Sequence, residues 1–282
     1  MEGGGRVALP PIHHRLRRPR PLLALAEARP PLSGSGPARK YAAAAGAQDA
    51  VHVYDFVAGL WRRCADMPPP RRSFFACAAA GGRVFVAGGH DEGKNALRSV
   101  AAYDAAADAW VALLDIARER GEARDVRAGA GFVALGGYPT EAQGRFAGSA
   151  EAFDPATWSW GPVTERVIED GACPRTCCAA PGTSIDSGMY MLRDGHVMAR
   201  DAGEGGSWRA VARVPEDGRA AAAEVAALGD GRVAVVGSVR HGADEQTVYV
   251  LSHGGAAAPS WTHAAAPPEF TGHVQAICCV QI

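Results

Sequence analysis

The sequence lacks a charge excess: 29 Lys and Arg stand against 30 Asp and Glu, a net charge of −1. A chain so balanced has no global field to draw it to nucleic acid or to an anionic membrane. It also lacks any apolar run near the roughly 18–20 residues of a membrane-spanning helix. Pro10, Pro11, His13 and His14 interrupt the short apolar stretch after Arg6, so no signal-peptide core is expected. Seven cysteines, an odd number in a chain of 282 residues, fit reduced thiols better than a secreted disulfide framework. The expectation is a protein of the cytoplasm, the nucleus or both.

Motifs of catalysis are missing as well. There is no Gly-x-Ser-x-Gly and no phosphate-binding loop. No Cys-x2-Cys or His-x3-His spacing points to a metal, and adjacent cysteines such as Cys177–Cys178 and Cys278–Cys279 face opposite sides of a strand. Small apolar side chains suit crowded strands, and cysteine supplies one. No metal and no cofactor are expected. Glu165, Glu169 and Asp170 have no partner base nearby in the sequence, and the chain is not read as an enzyme.

What is present is a repeat. Val-Tyr-Asp at 53–55 precedes Trp61, Ala-Tyr-Asp at 102–104 precedes Trp110, and Ala-Phe-Asp at 152–154 precedes Trp160. The aspartate-to-tryptophan spacing is six residues each time, and Trp208 and Trp261 continue the series at intervals of 48 and 53. The sixth tryptophan, Trp158, is expected on the strand face of Trp160. Interleaved are apolar runs that end in diglycine, Arg83–Gly89 and Gly131–Gly137, with a weaker copy at Val233–Gly237 and a copy without glycines at Met189–Leu192. Four short strands in about 50 residues is the period of a kelch blade. Diglycine permits positive φ, the large Trp fills the gap between twisted sheets, and Asp satisfies turn amides.

The fold expected is all-β, a five-bladed kelch-type β-propeller over residues 21–282. Its inner strands are expected near Ser73, Val126, Thr176, Ala220 and Val274. The C-terminal strand Val274–Ile282 would complete the first blade, with Leu22–Ala26, Val51–Asp55 and Trp61–Cys64 as the other strands. Closure of this kind is expected to leave no open edge, and hence a monomer. Residues 1–20 are basic and proline-rich and read as a disordered lead-in.

Four segments between the repeat motifs resemble plant F-box/kelch-repeat proteins: Gly89–Ser99, Ala117–Arg120, Gly136–Phe146 and Cys173–Cys177. The likeness is greatest to the subgroup that marks phenylalanine ammonia-lyase and type-B response regulators for degradation. It implies a propeller that holds a target protein for an SCF-type ubiquitin ligase, joined to a Skp-type adaptor through an F-box. Residues 1–40 show no amphipathic helical period, so no F-box is recognised there. The alternatives are a scaffold or decoy that binds the target without the ligase, and a metal-dependent kelch enzyme.

Rim loops carry binding residues on a rigid frame. Two loops are long and polar, 90–99 with His90, Asp91, Lys94, Asn95 and Arg98, and 138–149 with Tyr138, Glu141, Gln143, Arg145 and Phe146. Aromatic and arginine side chains of this kind anchor interfaces. Arginines before the inner strands, at Arg71 or Arg72, Arg124, Arg175 and Arg219, with His273 in the last place, could form a basic collar for carboxylates. Each could equally cap a turn or pair with an acid of the next blade.

Overall fold

The computed structural model describes residues 22–28, 39–45, 51–55, 58–80, 83–128, 131–180, 188–201, 206–216, 224–237, 247–254 and 257–264. They form five four-stranded antiparallel sheets, each a simple meander in which chain neighbours pair. Sheet 1 holds β1 (Leu22–Ala28), β2 (Arg39–Ala45), β3 (Val51–Asp55) and β4 (Leu60–Arg63). Sheet 2 holds β5 (Ala76–Ala80), β6 (Arg83–Ala87), β7 (Val100–Asp104) and β8 (Ala109–Leu113). Sheet 3 holds β9 (Arg124–Ala128), β10 (Gly131–Leu135), β11 (Ala150–Asp154) and β12 (Ser159–Trp160). Sheet 4 holds β13 (Cys177–Ala179), β14 (Met189–Arg193), β15 (His196–Arg200) and β16 (Trp208–Arg213). Sheet 5 holds β17 (Glu224–Gly229), β18 (Arg232–Gly237), β19 (Thr247–Gly254) and β20 (Ala257–Ala264).

The first strands β1, β5, β9, β13 and β17 lie against one another in chain order, the arrangement of a kelch-type β-propeller. Among the described residues the core divides into four seams between sheets rather than one central mass. Strand alternation builds them: Val84 and Val86 of β6 face the seam with sheet 1, while Phe85 faces the seam with sheet 3. The repeat tryptophans fill successive seams, Trp110 in the first, Trp160 in the second, Trp208 in the third and Trp261 in the fourth. Trp110 Nε1 donates to Ala65 O at 3.0 Å and Trp160 Nε1 to Leu114 O at 2.9 Å, so each ring also ties its sheet to the one before. Asp104 accepts the Ala106 and Ala107 amides, and Asp154 the Ala156 amide, which stabilises the turns between third and fourth strands.

Several expectations change. Sheet 1 draws all four strands from residues 22–63, with Leu22–Ala28 as its first strand and the alanine-rich Arg39–Ala45 as its second. A strand of alanines carries neither β-branching nor alternation, so pairing with its neighbours decides it. The segment 274–282, assigned to closure by the sequence, lies outside the described residues, as does the lead-in 1–20. The inner strands of sheets 2–5 begin at Ala76, Arg124, Cys177 and Glu224. Trp158 does not share the strand face of Trp160. It sits in the preceding turn at φ +56, packs edge-on against Phe153 and lies under the Arg83 guanidinium at 5.0 Å.

Candidate functional site

Antiparallel meanders put the loop between second and third strands on the same rim as the link to the next sheet. That rim is set by the diglycine motif. Gly88 and Gly89 adopt φ +66 and +90, and a Cβ on them would come within 2.5 Å of Arg120 O and 2.6 Å of Ser73 O. Only a residue without a side chain fits both demands. Below each diglycine an arginine gathers loose carbonyls. Arg72 donates to Gly88 O and to the carbonyl and hydroxyl of Ser99. One repeat later Arg120 donates to Gly136 O, to Ser149 O and Oγ, and to Glu151. The Arg120–Glu151 ion pair is 1 % exposed on both sides, and Glu151 also accepts the Ala117 and Arg118 amides. Among the described residues Arg72 forms no ion pair, and the nearby Asp115 offsets its burial only in part. Its Nε is buried without a partner, and burial lowers its pKa to about 10.

On this frame the two long loops meet. The Ala96 amide donates to Thr140 Oγ1 at 2.9 Å, and Gln143 Nε2 donates to Lys94 O at 3.0 Å. Glu119, from the link between sheets 2 and 3, accepts both the amide and the hydroxyl of Thr140. Loop 90–99 is also closed on itself, because Asp91 accepts the amide and side chain of Asn95. Those bonds hold the Asp91 carboxyl below the usual carboxylate range. Four rings run across the junction: Phe74 edge-on to His90, His90 to Tyr138 at 5.3 Å, and Tyr138 to Phe146 at 5.4 Å. Phe74, at φ +53, is 41 % exposed, and the cross-strand pair Ser73–His90 fixes its backbone. An open cleft of about 760 Å³ flanks loop 90–99, lined by Met67, Pro69, Pro70 and Arg71 opposite Asp91, Glu92 and Gly93.

The candidate residues thus divide by position. Lys94, Asn95, Arg98, Glu141, Gln143 and Arg145 are exposed on the joined loops, and Asp91 and Phe146 are half-buried. Arg98 is also a brace, since its Nε donates to Ile116 O. His90 and Tyr138 are buried, and burial beside Glu122 pushes the Tyr138 hydroxyl up to about 12. Arg72 is a buried clamp on main-chain oxygens. Arg124 and Arg175 converge from sheets 3 and 4 on Glu224 of sheet 5, at 3.2 and 2.9 Å, where the first strands begin. Arg219 and His273 lie outside the described residues.

Arg120, Glu151, Glu119, Thr140 and Glu224 hold this rim together and were not among the candidate site residues, although Glu119, Arg120 and Thr140 fall in segments that carry the family resemblance. A signal existed for one of them: Arg72 and Arg120 both stand 16 residues before the first glycine of a diglycine. Arg120, rather than Arg124, is therefore the repeat counterpart of Arg72. The cysteines divide as strand alternation requires, Cys177 into the seam with sheet 3 and Cys178 into the seam with sheet 5. Burial pushes both thiols up to about 12. Among the described residues no group of three or more His, Cys, Asp or Glu is arranged to hold a metal.

Comparison with known proteins agrees with this architecture. Residues 71–113, the whole of sheet 2 with its long loop, match the Kelch motif. The chain carries a kelch repeat. It is 37 % identical over 238 residues to F-box/kelch-repeat protein At1g15670 of Arabidopsis thaliana, covering 83 % of this chain and 63 % of that protein. It is 42 % identical over 177 residues to F-box/kelch-repeat protein At1g80440 of the same plant, covering 61 % of this chain and 47 % of the relative. The matched part therefore spans less than two thirds of these relatives. A solved structure of YjhT superposes with a TM-score of 0.55 at 15 % identity, over 78 % of this chain and 73 % of that one, a likeness of fold alone.

Proposed function

We propose that the protein holds a target protein on the rim of sheets 2 and 3, as the substrate-recognition part of an SCF-type ubiquitin ligase. The observation that carries this reading is the junction of the two long loops. Hydrogen bonds from Ala96 and Gln143 lock them together before any partner arrives, with Lys94, Glu141 and Arg145 left outward. A pre-organised polar surface beside half-exposed aromatic rings lowers the ordering cost of binding. The ligase part of the reading is supported by the F-box in the names of the plant relatives. Phenylalanine ammonia-lyase and type-B response regulators are the targets to try first, because the loop segments resemble the receptors of those proteins. We assign the action to the cytoplasm or nucleus, and we read the five sheets as the blades of one ring. The segment 274–282 would then add to a first sheet that already has four strands of its own.

The competing reading is a kelch scaffold that binds the target alone, and the joined loops support it equally, since they bear on the target and not on the ligase. Pull-down separates the two. Co-capture of a target and a Skp-type adaptor supports the ligase reading. Capture of the target without the adaptor supports the scaffold, and capture of neither sinks both.

A further inference from the structure

Ring closure removes no outer edge: among the described residues the fourth strand of each sheet pairs with its third and with no further strand, and propellers rely on keeping such edges short or guarded. Among the described residues four of the five outer strands carry a guard. Strand β4 has Arg62 and Arg63, and β16 has Arg209 and Arg213. Strand β12 is two residues long, and β20 contains Pro259 and pairs across a register shift. Strand β8, Ala-Trp-Val-Ala-Leu, has no charge, no proline and no bulge against β7. Its exposed side chains are apolar, with Val111 52 % and the following Leu114 70 % exposed.

We infer that β8 is a self-association edge, on which a second copy of this chain adds antiparallel about a two-fold axis through Val111. The choice of a second copy follows from the charges. With Val111 opposite Val111, Ala109 meets Leu113 and Trp110 meets Ala112. The nearest acids, Asp108 and Asp115, then meet Leu114 and Ala107 instead of each other. The same operation on β4 or β16 would bring arginines together. A net charge of −1 adds little long-range repulsion between copies. Such an isologous contact joins two sheets into one of eight strands. Five residues a side is a small interface, so the dimer is weak and depends on concentration.

Sedimentation velocity over a concentration series tests this. The wild-type chain should move from monomer to dimer as concentration rises. Val111→Lys, which sets one lysine against its symmetry mate across the axis at an exposed position, should stay monomeric with an unchanged melting temperature. Mixing Val111→Lys with Val111→Glu should restore a dimer, whereas Leu60→Lys on the edge of sheet 1 should dimerise as the wild type does. A wild-type chain that stays monomeric at every concentration overturns the inference. So does a Val111→Lys chain that dimerises normally.

Discussion

Arg120 and Arg72 do the same job with different support, and the difference is measurable. Both bind the carbonyls that a diglycine turn leaves loose, but among the described residues Arg120 forms a buried ion pair, with Glu151, and Arg72 has only the more distant Asp115. Truncating one member of a buried pair leaves the other charge uncompensated, at about 3–5 kcal/mol. Arg120→Met should therefore lower the urea unfolding free energy by that amount, and Arg72→Met by only about 1–3 kcal/mol, the cost of orphaned carbonyls. Equal losses would mean that Glu151 adds nothing. The thiols give a pH dependence. Cys177 and Cys178 stay protonated to about 12 in the folded chain, against 9.0 for an ordinary thiol. Their contribution is complete below 9.0 and is lost as pH rises toward 12, where the unfolded chain ionises more readily. Melting temperature should fall across that window, and less so in Cys177→Ala/Cys178→Ala. Singly, these residues were only partly legible. The two arginines have a common spacing to diglycine, but Glu151 has no counterpart in sheet 2, where Ala101 occupies its place.

The tryptophan register is the feature that the sequence displayed most clearly, and its physical basis is the seam. Each indole fills the gap between two sheets, and Trp110 and Trp160 also donate to a carbonyl four residues beyond the previous repeat tryptophan. Trp110→Phe or Trp160→Phe keeps most of the apolar ring and leaves Ala65 O or Leu114 O without its donor. Each should cost about 1–2 kcal/mol in thermal or urea unfolding, and a neutral outcome would show that the bond is replaced by water. Elements with weak side-chain signals were harder to read. Arg39–Ala45 is a strand because β1 and β3 flank it, and nothing in its alanines says so. Met189–Arg193 lacks diglycine because its link to β15 is a two-residue Asp194–Gly195 turn with both φ positive, so no long loop has to be clamped there.

For the molecule as a whole, the all-β propeller was legible because one repeat is written several times. The position of the long loops followed from it, since every second-to-third strand link falls on one rim. The junction between loops 90–99 and 138–149 was not legible, because Thr140 and Gln143 join them across 44 and 49 residues of chain, and Glu119 braces Thr140 from 21 residues away. Edge protection was misjudged in the sequence because closure was credited with removing edges that it leaves in place. Binding belongs to this scale, and it depends on whether the joined rim is the face that holds a protein. The most direct measurement is the affinity of immobilised phenylalanine ammonia-lyase and a type-B response regulator for the wild-type chain and for Lys94→Glu/Arg145→Glu. Among the described residues neither side chain hydrogen-bonds to the frame, and Lys94 contributes only main-chain groups, which the substitution keeps. Reversing two exposed charges at the centre of an interface should weaken binding at least about tenfold, as close charge pairs do, with melting temperature unchanged. Wild-type binding that the double variant retains in full would contradict the account.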